Sequence, residues 1–299
     1  MAIEMRHLRY FLVLADELHF GRAARRLHIA QPPLSFNIKQ LEQSLGVQLL
    51  ERNSHGVKLT PAGEVFRQSA ARVLAETETA AQRARDVALG VTARVRIGFV
   101  GSMLFRGLPE RLQAFQAAHP QVQTELIELN SAQQLEAMAR GSIDLGFVHT
   151  ARVPPDLSRS LYMSEPFVAC LPEAHPAGGP QGLDLDALAS EPLVLFSRGA
   201  SPDYYERVLT LSGQLGLQPR VRHEVRHWLS VVALVGKGMG WALVPQALAG
   251  SGVAGVAYHL LPPSDIRSEV HLLWNERSMP AVLPLLLDAL RTSANPQVA

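Results

Sequence analysis

From residue 91 to the C-terminus, short apolar segments alternate with amphipathic ones, and this alternation restricts the possible folds more than any other feature of the chain. Residues 95–100, 122–129 and 145–148 are strand-like, whereas residues 106–118 and 132–140 have helical periodicity. The pattern continues through residues 167–171, 193–196, 202–215, 221–225, 228–235, 241–245, 270–274 and 280–292. Such alternation predicts an α/β body, a largely parallel sheet with helices on its faces, as one large domain or two smaller ones.

Residues 1–59 have a different pattern, that of several short helices followed by a hairpin. The third helix opens at Gln31-Pro32-Pro33, since proline is tolerated in a first helical turn. Its apolar residues recur every three or four positions, at Leu34, Ile38, Leu41 and Leu45, and Gly46 ends it. Residues 49–59 resemble a two-stranded wing. Together these segments predict an all-α winged helix-turn-helix.

Residues 60–89 are predicted to form one long helix. Thr60 is a good N-cap, and Pro61 suits the first helical position. A narrow apolar stripe follows at helical spacing: Ala62, Phe66, Ala70, Val73, Ala80, Ala84 and Val87. A helix of about 28 residues is about 42 Å long and cannot bury such a stripe alone. We therefore expect it to pair with a second copy of the chain.

The small net charge of +1 conceals a difference between the two ends of the chain. Residues 1–90 contain 12 basic and 9 acidic residues, whereas residues 91–299 contain 16 and 18. A mildly basic head on a mildly acidic body is consistent with a nucleic-acid-binding module on a sensing or catalytic body.

Composition excludes several other classes of protein. No apolar run approaches the roughly 20 residues that span a bilayer, and residues 1–9 contain no secretion signal, so we expect a soluble cytoplasmic protein. The single cysteine, Cys170, excludes an intramolecular disulfide and a cysteine-based zinc finger. Because it sits in an apolar strand, Cys170 is predicted to be buried and inert.

Several motifs resemble the DNA-binding region of LysR-type transcriptional regulators. They cover residues 8–11, 23–35, 38–42, 45–52 and 59–63 without a gap in spacing. Residues 96–102 and 141–147 are similar to the sensing domain of the branch that controls degradation of aromatic compounds, which includes regulators that respond to muconate and benzoate.

This resemblance implies a division of the whole chain. Residues 1–59 would be the winged helix-turn-helix domain, 60–90 a linker helix for dimerisation, and 91–299 a periplasmic-binding-protein-like effector domain. The effector domain would consist of subdomain I, residues 92–163 and 268–299, and subdomain II, residues 164–267. The implied partners are promoter DNA, a second copy paired through the linker helix within a homotetramer, and an aromatic or carboxylate effector in the cleft. No cofactor, metal or membrane partner is implied.

Eight residues are candidates for DNA contact. Gln31, Ser35, Phe36 and Lys39 lie on the polar face of the predicted third helix, and the family contacts DNA at the positions of Gln31, Pro32 and Ser35. Phe36 stands where the branch often has Arg; it could touch a thymine methyl group or pack between helices. The wing adds three candidates, which could instead belong to an ordinary solvated hairpin: Arg52, Ser54 and His55.

Five residues are candidates for effector contact. Ser102 and Ser131 follow the first two strands of the body, at positions that contact carboxylates in the muconate-type regulators; plain N-cap serines are the alternative. Pro202 and Tyr204 begin a helix where the branch has an aromatic wall. His149 replaces a frequent Arg, which favours an uncharged or monocarboxylate ligand or pH-sensitive binding. It could also be an exposed loop histidine.

Two other classes of function remain alternatives. A free solute-binding protein would explain the body but not residues 1–89. An enzyme would need a catalytic motif, and the sequence contains neither HExxH nor GxSxG nor a phosphate-binding loop. The pair His223 and His227 is only a weak indication of a metal site. No catalytic residue is therefore predicted.

Overall fold

The structure is a computed structural model that describes residues 3–53, 56–88, 93–179, 182–218 and 220–292. These residues form two compact units. The first contains the residues up to Ala88 and the short segment Ala139–Ser142, and the second contains the remainder. Each unit is described by itself below.

The first unit begins with three short helices, α1 (Met5–Glu17), α2 (Phe20–Arg26) and α3 (Gln31–Leu45). Their apolar stripes meet in one core. The fully buried Leu34, Ile38 and Leu41 place the predicted stripe of α3 against this core, and truncation of one such side chain costs about 2–5 kcal/mol. Gly46 ends α3 in the left-handed conformation, at φ +70°.

A two-stranded antiparallel wing and one long helix complete the first unit. The strands β1 (Leu50–Asn53) and β2 (Gly56–Leu59) pair in register from Leu50–Leu59 to Asn53–Gly56. Helix α4 (Pro61–Ala88) follows at once. The side chain of Thr60 accepts a hydrogen bond from Gly63 N–H at 2.9 Å, so the predicted N-cap is confirmed.

The second unit contains twelve named strands and six α-helices in the described ranges, in the following order. They are β3 (Ala93–Phe99), α5 (Leu108–Ala118), β4 (Val122–Glu128), α6 (Ser131–Ala139), β5 (Leu145–Val148), β6 (Ser158–Glu165), β7 (Phe167–Pro172), β8 (Gly178–Gly179), β9 (Gly182–Leu183), α7 (Leu185–Leu188), β10 (Pro192–Phe196), α8 (Pro202–Gln214), β11 (Arg220–Val225), α9 (Trp228–Gly236), β12 (Ala242–Pro245), β13 (Val256–Leu260), β14 (Ser268–Trp274) and α10 (Leu283–Thr292).

The long strands make two sheets of the same design. The first has the order β4-β3-β5-β14-β6, with β3 parallel to β4 and β5, and β14 antiparallel to its neighbours. In the second, β10 and β11 are parallel and β7 lies between β12 and β13. A parallel bridge between Leu193 and Trp241 joins these two groups into the order β11-β10-β12-β7-β13. Each sheet has its own hydrophobic core.

The chain crosses between the two sheets twice. It leaves the first sheet after β6, which ends at Glu165, and returns between Leu260 and Ser268. The fold is therefore an N-terminal winged helix-turn-helix with a long helix, followed by an α/β body of two subdomains. Within the described ranges, no helix combines the length and the apolarity needed to cross a bilayer.

One predicted boundary was wrong, since the first helix of the body begins at Leu108 rather than at residue 106. Strands β6, β8, β9 and β13 and the short helix α7 were not predicted. A 3-10 helix, Gly101–Phe105, occupies the turn after β3 instead. Gly107 has a φ of +77° and separates the two helices.

Candidate functional site

The outer face of α3 is a candidate surface for DNA contact. Gln31, Pro32 and Lys39 are exposed and Ser35 is half-buried, on the side away from the core. Phe36 is 63% exposed, so the alternative that it packs between helices is wrong. The face therefore presents amide, hydroxyl, ammonium and aromatic groups, which are suited to base edges and phosphates.

The structure does not describe the side chains of the three DNA candidates in the wing. Arg52 lies in β1, and Ser54 and His55 fall outside the described residues. Helix α2 adds a cation that was not among the predicted DNA contacts, Arg25, which is exposed. Its neighbours Arg22 and Arg26 pair with Glu17, whereas Arg25 has no acidic partner among the described residues. The adjacent Arg25 and Arg26 in the helix-turn-helix motif were the sequence feature that could have indicated this cation.

Three of the predicted effector residues meet at one edge of the first sheet. Ser102 lies in the 3-10 helix after β3, Ser131 begins α6 after β4, and His149 follows β5. Because β4, β3 and β5 are adjacent and parallel, their carboxyl ends share this edge. His149 N–H donates to Ser131 Oγ at 3.0 Å, and His149 Nε2 is 3.4 Å from Ser102 Oγ. All three residues are buried.

Ser131 is not the N-cap of α6. Asn130 takes that role, since Gln133 N–H donates to Asn130 Oδ1 at 3.0 Å and Asn130 N–H donates to Gln133 Oε1 at 3.1 Å. The N-cap alternative for Ser131 is therefore wrong. Its hydroxyl is used to fix the backbone at His149.

His149 is held as a neutral ring. Its Nδ1 lies 2.9 Å from the carbonyl oxygen of Glu269. A carbonyl only accepts, so Nδ1 carries the proton, and Nε2 is left to accept from the Ser102 hydroxyl. Burial, and next the positive charge of Arg106, hold the pKa of His149 well below 6.5. Neither an exposed loop histidine nor a histidine that titrates near pH 7 agrees with this environment.

The second subdomain contributes an aromatic cluster to the same place. The ring of Tyr204 in α8 lies 5.0 Å from His149 and 4.7 Å from Trp228, the first residue of α9. Trp228 stacks on Phe196 at 5.1 Å with a 28° angle between the rings. Pro202, by contrast, is exposed in the first turn of α8 and is not part of this cluster.

A buried ion pair lies beside the cluster, and the sequence did not predict it. Arg106, which follows the 3-10 helix, pairs with Glu165 at the end of β6 and donates from Nη2 to Ser268 Oγ at 2.8 Å. Glu165 Oε2 also accepts from Ala247 N–H at 2.7 Å. Arg106 therefore contacts both segments in which the chain crosses between subdomains. Because Arg106 stood at the start of a predicted helix, nothing in the sequence indicated that it would be buried in an ion pair.

A narrow crevice, partly open to solvent, lies between the ends of the two sheets. Its first wall includes Gly101, Glu128 and Asn130, and its second includes Phe196, Arg226 and Trp228. Asp203 of α8 links the second subdomain to the first. It accepts a hydrogen bond from Thr150, and its carboxylate lies 3.5 Å from Arg152 Nε. The crevice shares Phe196 and Trp228 with the aromatic cluster, whereas the buried Ser102, Ser131, His149 and Tyr204 do not line it.

Other candidate chemistry is not supported. The predicted burial of Cys170 is confirmed, and burial raises the pKa of its thiol to about 12. In the described ranges, no group of three His, Cys, Asp or Glu side chains is arranged to hold a metal ion.

Comparison with known proteins agrees with both units. Residues 5–64 match the model of the bacterial regulatory helix-turn-helix proteins of the lysR family, and residues 89–295 match the LysR substrate binding domain. The HTH-type transcriptional regulator BenM of Acinetobacter baylyi is 36% identical over 267 residues, 88% of each chain. The uncharacterized regulator YnfL of Escherichia coli is 34% identical over 275 residues, 92% of this chain and 93% of that protein.

Solved structures show the same similarity. The LysR family regulator CbnR has a TM-score of 0.72 at 26% identity, with 98% of this chain and all of that chain covered. The effector binding domain of BenM, solved with its effector benzoate, has a TM-score of 0.59 at 28% identity. That match covers 68% of this chain and 92% of the domain.

Proposed function

Because the chain belongs to the LysR family of bacterial transcription regulators, we propose that the outer face of α3 reads promoter DNA and that the cleft of the second unit binds the effector. The observation that carries the second part is the convergence of Ser102, Ser131 and His149 with Tyr204. A DNA-binding regulator acts where the chromosome is, so we place the protein in the cytoplasm.

The proposed domain division follows the elements. Residues 1–59 are the DNA-binding domain, residues 60–90 the linker helix, and residues 91–299 the effector domain. Subdomain I comprises residues 92–163 and 268–299, and subdomain II residues 164–267. The crossings after Glu165 and before Ser268 support these boundaries.

On the DNA, Gln31, Ser35 and Phe36 are proposed to contact base edges, with Pro32 packed against the DNA. Lys39 and the wing residues Arg52, Ser54 and His55 are proposed to contact the backbone. The exposure of Phe36 supports contact with a thymine methyl group. Two such faces are needed for a two-fold operator, which supports pairing through α4 and assembly of dimers into a tetramer.

The effector is proposed to be an aromatic or carboxylate metabolite. The aromatic cluster supplies flat apolar walls, and BenM, whose effector domain binds benzoate, provides the comparison. Of the predicted contacts, the rings of His149 and Tyr204 pack together, Ser102 and Ser131 lie within hydrogen-bond distance of His149, and Pro202 is exposed at the start of α8. Binding biases promoter output only through a difference in affinity between two arrangements of the protein.

The test is binding of the purified protein to its own upstream intergenic DNA and to shuffled DNA of equal length, at several salt concentrations. We expect preference for the native DNA to persist at about 0.15 M salt. Gln31→Ala should reduce that preference by about 1–3 kcal/mol and leave binding to shuffled DNA nearly unchanged. Gln68→Ala, the same change at an exposed position of α4 in the same unit, is the matched control and should preserve the preference. An equal loss on both DNAs for Gln31→Ala would contradict a base contact.

A further inference from the structure

The guanidinium of Arg106 has hydrogen-bond donors that the protein does not use. Its side chain is completely buried, and Nη2 is occupied by Glu165 and Ser268. Nε and Nη1 have no hydrogen-bond partner among the described residues. Buried N–H groups of a cation without partners are costly, and an acceptor from a ligand is the group that would relieve this cost.

The groups around Arg106 favour an acceptor-only ligand atom. The Tyr204 phenol lies near the guanidinium: burial raises its pKa well above 10, and the charge of Arg106 opposes that rise. The indole Nε1 of the buried Trp228 also lacks a partner in the described part of the chain. Guanidinium, indole and phenol can all donate, and among the groups that only accept, a carboxylate also carries the negative charge that pairs with a guanidinium.

The aromatic side chains set the shape of the rest of the ligand. Tyr204 lies 4.7 Å from Trp228 and 5.4 Å from Phe167, centroid to centroid. Phe196 and Trp228, which stack on each other, line the inner wall of the crevice. Arg106 and Tyr204 do not line the crevice, so a flat ring must enter from it and separate Tyr204 from Trp228 to bring a substituent to Arg106.

The charged groups around Arg106 leave room for only one ligand carboxylate beside it. Glu165 already neutralises Arg106 in part, and His149 is neutral. The next cation, Arg207, is paired with Glu269 at 3.0 Å. A second carboxylate at the floor would therefore have no cation of its own.

We propose that Arg106 binds the carboxylate of a flat monocarboxylate effector whose ring lies between Tyr204 and Trp228. This proposal rests on the proposed function, since it names the ligand class and the anchoring residue of the same cleft. Arg106 also contacts the two crossing segments through Glu165 and Ser268. A carboxylate that competes with Glu165 for Arg106 would therefore change contacts at the hinge between subdomains.

The test is calorimetric titration of the purified full-length protein with benzoate and with benzamide, a neutral molecule of the same shape. We expect benzoate to bind and benzamide to bind at least about tenfold more weakly. Arg106→Lys keeps the charge and loses the forked geometry, and it should weaken benzoate binding roughly 10- to 100-fold. The matched control is Arg267→Lys, in the same hinge region, because Arg267 donates to Ser164 and not to the cleft. It should bind benzoate like the wild type.

Circular dichroism establishes that each variant is folded. If Arg106→Lys does not fold, the double variant Arg106→Met with Glu165→Gln removes the buried pair together and should lose benzoate binding. Equal affinity for benzamide and benzoate, or wild-type affinity in Arg106→Lys, would overturn the anchoring role and leave a ligand-binding cleft. Failure of benzoate, phenylacetate and cinnamate to bind the wild type would also overturn it, whereas preference for the native upstream DNA would still support the regulator function.

Discussion

At the scale of the residue, His149 shows how the fold changes the chemistry of a side chain. The sequence placed a titratable group after β5, where pH-sensitive binding was one interpretation. In the structure, burial and the charge of Arg106 hold the pKa of His149 well below 6.5, and both ring nitrogens have partners. The residue is therefore a neutral hydrogen-bonding element of the cleft floor rather than a switch near pH 7.

This environment predicts how stability depends on pH. Below about pH 6.5 the unfolded chain binds a proton at position 149 and the folded protein does not, so the free energy of unfolding falls as the pH drops toward the folded pKa. Between pH 7.5 and 5.5 the loss due to His149 should be about 1 kcal/mol, measured by urea unfolding.

Two histidine variants separate the contribution of His149 to the pH dependence of stability from that of the other histidines. His149→Asn should flatten that part of the profile, while His227→Asn, at a side chain 64% exposed, should keep the wild-type slope. His271, whose pKa burial also lowers, contributes equally in all three proteins. An unchanged slope in His149→Asn would show that position 149 is not the source.

At the scale of the element, α4 buries only part of its apolar stripe within the first unit. Phe66 packs edge-on against Phe11 at 5.2 Å, and Ala70 is buried. Val73 is 49% exposed, and Val65, which lies beside the predicted stripe, is 69% exposed. The partly covered stripe is consistent with the proposed pairing of two copies through this helix.

Substitution on the stripe tests that pairing. Val73→Asp would bury a charge between paired helices, so it should weaken self-association roughly tenfold or more. Sedimentation velocity over a range of protein concentrations measures this effect. Gln68→Asp introduces the same side chain on the exposed opposite side of α4 and should associate like the wild type. If both variants associate normally, the pairing surface lies elsewhere.

The strands also show which elements the hydrophobic pattern of the sequence can predict and which it cannot. The parallel strands β3, β5 and β10 are apolar runs between helical segments and were predicted. Strands β6 and β13 were missed because they are edge strands that are only partly buried, and their polar and apolar residues form no continuous run. Their pairing with β14 and β7 depends on segments far away in the sequence.

At the scale of the whole molecule, the unfolding of each compact unit can be followed separately. All three tryptophans, Trp228, Trp241 and Trp274, lie in the second unit. Gly63 lies in the first unit, where a Cβ atom would stand 2.1 Å from the carbonyl oxygen of Leu49. Gly63→Ala should therefore destabilise the first unit by about 2 kcal/mol or more.

The expected result is a change in one signal without the other. In Gly63→Ala, the far-UV circular dichroism transition should begin at lower urea concentration, while the tryptophan fluorescence transition stays in place. Gly213→Ala, in α8 with open space around its Cβ, is the control and should not advance either transition. An equal shift of both signals in Gly63→Ala would mean that the two units unfold together.

The sequence by itself determined the features that depend on local pattern: the winged helix-turn-helix, the long helix with its cap at Thr60, and the α/β body. Periodicity and turn chemistry act over a few residues, so they can be read along the chain. Ser102, Ser131 and His149 were named as effector candidates from the resemblance to the family, and their convergence follows from the adjacent parallel strands β4, β3 and β5, which end at one edge. Only the tertiary structure decided that His149 is neutral, that Phe36 is exposed, and that Arg106 lies buried against Glu165 and Ser268. Burial, protonation and ion pairing depend on segments up to 162 residues apart that meet only in the folded chain.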